Sequence, residues 1–75
     1  MSTREERMQA AAQLCEQAAG ELDKAAAHAR RAAQHFRDGE VPRAGAHEWA
    51  AYGHVRAAQR ALDEQALEHR LRSRV

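Results

Sequence analysis

Phe36-Arg37-Asp38-Gly39-Glu40-Val41-Pro42-Arg43 lies almost at the midpoint of a 75-residue chain. On both sides the sequence is dominated by Ala, Arg, Gln and Glu, all good helix formers. Here a Gly and the only Pro fall three residues apart. Gly suits the left-handed position just past a helix end, and Pro suits the first turn of the next helix. The stretch therefore predicts an all-α chain in which two long helices form an antiparallel hairpin. Helix one is expected over about 3–37, the turn over about 38–41 and helix two over about 42–71, in one domain covering 1–75.

Working outward, Ser2 and Thr3 are followed by Glu5 and Glu6, which offers two overlapping capping boxes at the start of helix one. The apolar pattern of that helix then runs in sevens. Met8, Cys15, Leu22, Ala29 and Phe36 form one stripe, with Ala pairs between them, and this is the expected seam with helix two. On helix two the matching stripe is Val41, Ala44, Glu48, Ala51, Val55, Ala58, Leu62 and His69. Further Ala residues widen its apolar arc to one side, and Trp49, Tyr52 and Gly53 lie toward the other. A helix apolar over so wide an arc usually touches more than one neighbour.

Composition points the same way. Hydrophobic residues make up 44% of the chain, but 19 of them are Ala, which favours helix while burying little area. A chain this short has a marginal core. Self-association or docking on a partner is the expected remedy, most simply as a homodimer forming a four-helix bundle.

The formal charge is +1, with acidic and basic residues interspersed, which argues against a nucleic-acid partner held by net charge. The single Cys15 excludes an internal disulfide and fits a reducing cytoplasm. No apolar run approaches the roughly 18 residues of a membrane span, and the N-terminus has no signal-like apolar core. A cytoplasmic protein without a membrane partner is expected.

From His35 to Ala51 the chain resembles the turn of a tetratricopeptide repeat. Phe36, Gly39, Glu40, Ala44 and Ala51 match that repeat's aromatic, turn Gly, acidic cap and small helix-B positions. There is one copy, the two helices together exceed the 34-residue unit, and Glu48 stands where an aromatic is expected. The resemblance implies sound hairpin chemistry; a solenoid needs about three repeats.

Four histidines carry the chemistry that can be named. His28 and His35 lie seven apart on helix one, and His47 and His54 lie seven apart on helix two, so each pair shares a face. A fold-back at Gly39 places His28 near His54 and His35 near His47, flanking the seam. With Glu48 they are candidate ligands for Zn, Cu, Ni or Fe, although no established metal-ligand spacing is present. The alternatives are boundary histidines that simply pack, and a pH-responsive bundle. Glu48 can equally fix register through a salt bridge, and Cys15 is expected to act as a small core hydrophobe.

Trp49 and Tyr52, followed by Arg56 and Arg60 on the same side, form the expected partner-binding patch. Arg30, Arg31, Arg37 and Arg43 cluster near the bend, an arrangement whose architecture is similar to small plasmid RNA-binding hairpin dimers. No motif supplies a catalytic residue or cofactor site. The expected function is a non-enzymatic helical interaction protein: an adaptor, inhibitor or regulatory subunit. A His-based metal-binding bundle is the first alternative, and nucleic-acid binding through the Arg faces is the second.

Overall fold

A computed structural model describes residues 3–73, as two antiparallel helices in a rod of 55 × 19 × 14 Å. Helix α1 spans Arg4–Arg37 and α2 spans Val41–Ser73, and they pack along each other. Thr3 caps α1 with a complete capping box. Its hydroxyl accepts from the Glu6 N–H at 3.1 Å, and its own N–H donates to the Glu6 carboxylate at 3.0 Å. These bonds satisfy two donors that a helix start otherwise leaves open, and they hold the Glu6 carboxyl below its ordinary value. Ser2, the other expected cap, lies outside the described residues.

The turn closes as expected from its Gly. Glu40 N–H donates to His35 C=O at 2.8 Å and Gly39 N–H donates to Phe36 C=O at 3.1 Å. Gly39 sits at φ 75°, the left-handed conformation this paired closure requires. Asp38 adds a brace by accepting from the Gln34 side-chain amide at 3.0 Å. Pro42 falls in the first turn of α2, where a missing N–H costs no helical bond.

The seam keeps the expected alanines Ala18, Ala25, Ala32, Ala44 and Ala58 but differs in the residues between them. Among the described residues every buried hydrophobic one is an alanine: Ala18, Ala25 and Ala32 on α1, and Ala44, Ala58 and Ala61 on α2. Leu14 packs against Ala18, Ala58 and Ala61. Between these alanines, at the alternate heptad positions, Glu21, His28, His35, His47 and His54 are half-buried. The expected seam of Met8, Cys15, Leu22, Ala29 and Phe36 is exposed, as are Val41, Glu48, Val55, Leu62 and His69 on α2. Cys15 is thus not a core residue, and the histidines line the seam rather than flank it.

The turn explains the shift of one residue. Its paired closure brings together the residue three before the C-cap Asp38 and the second residue beyond that cap. Here these are His35 and Glu40, whose side chains approach to 3.4 Å. Steps of seven from His35 back along α1 give His28, Glu21 and Leu14; from Glu40 forward along α2 they give His47, His54 and Ala61. The turn sets the phase, and small Ala side chains let the two backbones lie close enough to hold it.

Candidate functional site

The seam positions fixed by the turn form one continuous row, supplied alternately by the two helices: Glu21, His54, His28, His47, His35, Glu40. At one end His54 Nδ1–H donates to the Glu21 carboxylate at 2.6 Å. The His54 ring then stacks on His28, with centroids 5.5 Å apart and planes within 10°. His28 and His47 meet Nδ1 to Nδ1 at 2.9 Å. His47 stacks on His35 at 5.4 Å and 16°. His35 Nδ1 ends the row 3.4 Å from Glu40 Oε2, close enough for an ion pair but without hydrogen-bond geometry, so this buried nitrogen has no hydrogen-bond partner.

The row is symmetric because the sequence is. Glu21-x6-His28-x6-His35 repeats as Glu40-x6-His47-x6-His54, nineteen residues later. Lys24 and Arg43, Ala25 and Ala44, Ala32 and Ala51, and Arg37 and Arg56 correspond at the same offset. A pseudo-dyad between the His28 and His47 rings exchanges the two copies. It relates Glu21–His54 to Glu40–His35, and the two stacked pairs to each other. Even the outer ion pairs correspond: Lys24 lies 3.9 Å from Glu21, and Arg43 lies 3.2 Å from Glu40. The copies differ at their ends, since only Glu21 accepts a hydrogen bond from its histidine.

Charge follows this geometry. The hydrogen bond from His54 holds the Glu21 carboxyl below its ordinary value; burial opposes this, and Lys24, His54 and Arg60 add attraction. His47 is also held below its ordinary value, first by burial and then by the positive neighbours His28, His35 and Arg31. At the centre one Nδ1 must donate and the other accept, so His28 and His47 share a single proton. Their centroids are 5.1 Å apart, about the nitrogen separation plus the two ring radii, so the two nitrogens face each other at hydrogen-bond distance.

Of the expected metal-ligand set, the row unites His28, His35, His47 and His54, including both cross-helix pairs expected from the fold-back. Glu48 is not part of it, because the one-residue shift puts this side chain on the exposed flank. Among the described residues no three His, Cys, Asp or Glu side chains come together in an arrangement suited to a metal ion. Sequence reasoning missed the contact between His28 and His47 and the two carboxylates at the ends. The nineteen-residue repeat was the signal that could have found all three.

A second surface lies beside the row. The one-residue shift turns the larger hydrophobic residues outward at the position following each seam histidine or its equivalent. Leu22, Phe36 and Val55 follow Glu21, His35 and His54, while Cys15 and Leu62 follow Leu14 and Ala61. In an antiparallel pair these stripes occupy the same flank on both helices. The expected partner patch also assembles, on the outer side of α2. Trp49 is 76% exposed and stacks on Tyr52 at 5.8 Å, with the Arg56 guanidinium carbon 6.0 Å from the Tyr52 ring centroid. Arg60 is exposed one turn further on. At the open end of the hairpin a cleft of about 530 Å³ runs between the first turns of α1 and the last turns of α2, past Met8, Leu14, Leu67 and Leu71.

Among the described residues no helix is long and apolar enough to cross a membrane. Comparison with protein-family models, with curated proteins and with solved structures found no match.

Proposed function

We propose that this chain is a small non-enzymatic interaction protein that self-associates through its apolar flank, giving a homodimeric four-helix bundle, and engages a protein partner through its outer face. One observation carries the reading: among the described residues the hairpin buries only alanines, while Met8, Leu22, Phe36, Val55 and Leu62 remain about half exposed in heptad stripes. Such stripes on adjacent helices are what a second hairpin packs against.

The dimensions agree. A face 55 Å long and 14 Å wide offers about 800 Å² per copy, the size of a standard stable interface. A formal charge of +1 sets up little repulsion between two copies. In the assembled bundle Trp49, Tyr52 and Arg56 would stay on the outside, as an aromatic and cationic anchor of the kind that dominates protein interfaces. A regulatory or adaptor role in the cytoplasm accords with the lone Cys15.

Sedimentation velocity over a hundredfold concentration range tests this directly. The expected species is a dimer that Leu22→Glu converts to a folded monomer, because that side chain lies outside the seam. A wild-type chain that stays monomeric at ~100 μM, or a Leu22→Glu variant that dimerises equally well, would sink the reading.

A further inference from the structure

We propose that the row Glu21–His54–His28–His47–His35–Glu40 is a proton-operated latch. It holds the turn-proximal halves of α1 and α2 together while at least one of His28 and His47 is neutral, and it releases them when both are protonated. Four imidazoles lie in contact in one seam, with one carboxylate at each end and none in the middle.

Both carboxylates are already engaged. Glu21 accepts from His54 at 2.6 Å and lies 3.9 Å from Lys24; Glu40 pairs with Arg43 at 3.2 Å and lies 3.4 Å from His35. Each end histidine therefore lies next to an anion. The central pair does not: His47 faces His28, His35 and Arg31 from α1, and His28 faces His47 and His54 from α2. On α2 itself, Glu48 lies on the exposed flank, outside the row. Each neutral imidazole carries one N–H, and one added proton still leaves an Nδ1 acceptor between the rings; protonation of both rings removes it, so two N–H groups and two positive rings then oppose each other at 2.9 Å. The alanine layers on either side bury little area with which to resist that repulsion.

The sign of the pH effect follows. His47 is held below its ordinary 6.5, so the fold favours its neutral form. The hairpin has this support in full above about pH 6.5 and loses it progressively as the pH falls below the unfolded-state value. Because α1 and α2 each contribute half of the apolar flank, opening the latch also divides that flank. Acid would then weaken self-association, a consequence that rests on the reading of the flank given above.

The experiment is a set of thermal melts of the full chain, followed by circular dichroism from pH 8 to pH 5, at two concentrations tenfold apart. Wild type is compared with His28→Asn/His47→Asn, whose amides can bridge at the Nδ1 positions without titrating. The wild-type melting point is expected to fall by roughly 5–10 °C between pH 7.5 and pH 5.5, and that of the variant by less than half as much. This slope should appear at both concentrations, so a failure of the dimer reading would remove only the concentration dependence. Equal slopes in the two proteins, or a flat wild-type profile, would overturn the latch. Should the variant not fold, nitrogen-detected imidazole NMR of the wild type decides. Two well-separated proton uptakes at His28 and His47, the second below the ordinary histidine range, support the latch. Coincident uptake within the ordinary range overturns it.

Discussion

Ala58→Leu and Ala29→Leu add the same atoms to the two helices, but they should have opposite consequences. Ala58 is 1% exposed and clusters with Ala18 across the seam and Ala61 on its own helix, with Leu14 packed against them. Three further carbon atoms have no room there, so the helices must separate or the leucine must leave its preferred rotamer. Overpacking of this kind costs about 1–3 kcal/mol. In a domain this small each kcal/mol corresponds to about 4–8 °C, so the melting point of Ala58→Leu should fall by roughly 5–20 °C. Ala29 is exposed one position after His28. Leu and Ala have similar helix propensities, so Ala29→Leu should shift hairpin stability by no more than about 0.5 kcal/mol. Urea and thermal unfolding by circular dichroism, at concentrations low enough to keep the chain monomeric, would compare the two. If Ala29→Leu loses many degrees, the seam runs along Met8, Cys15 and Leu22, and the phase assigned from the turn is wrong; if Ala58→Leu melts with the wild type, the close alanine packing is refuted.

Three further outcomes are expected. Gly39→Ala should lower the melting point by roughly 5–10 °C, because a left-handed alanine costs about 1–2 kcal/mol; open space around Gly39 means that no clash adds to this. An unchanged melting point would show that the turn can close in another way. Glu21 is held below its ordinary 4.5, so its stabilising effect is present above about pH 4.5 and is lost as the pH falls through its folded value. The stability gap between wild type and Glu21→Gln, measured by urea titration, should therefore narrow from pH 6 to pH 3; a constant gap would refute the assigned pairing with His54. Finally, equimolar Zn²⁺ or Ni²⁺ at pH 7.5 should raise the melting point by less than ~2 °C, because no three ligands are gathered in the seam; a rise of 10 °C or more would show that the row rearranges around a metal.

The hairpin was legible from the turn alone. Gly39, Pro42 and the capping box at Thr3 specify where helices stop and start through local hydrogen bonding, and that chemistry does not depend on what the helices pack against. The seam was not legible from hydrophobicity, because two stripes with the same seven-residue spacing run side by side. One holds Met8, Cys15, Leu22 and Phe36; the other holds Leu14, Glu21, His28 and His35. Choosing the more apolar stripe assumes that the hairpin buries its best hydrophobic residues within itself. Here the turn geometry commits the chain to the polar stripe, and alanine makes that commitment tolerable by allowing close approach.

The histidine pairs were half legible for a related reason. His28 with His54, and His35 with His47, follow from a fold-back at Gly39 without knowledge of the seam's phase. Their direct contact, the meeting of His28 with His47, and the enlistment of Glu21 and Glu40 all require the phase to be right. Glu48 was assigned to the row by the same one-residue error that placed Cys15 in the core.

The nineteen-residue pseudo-dyad has a consequence for folding. Within the seam, each helix presents the same order of Glu, His and His to its partner. A helix from another molecule could offer that order as readily as the chain's own does. The three-residue link between Arg37 and Val41 therefore selects the partner by proximity, giving the chain's own helix an effective concentration that a separate molecule cannot match in dilute solution. Any change that straightens Gly39 into continuous helix removes this kinetic preference while leaving the recognition chemistry intact. Strand exchange between molecules, a domain swap, is then the failure mode to look for in turn variants.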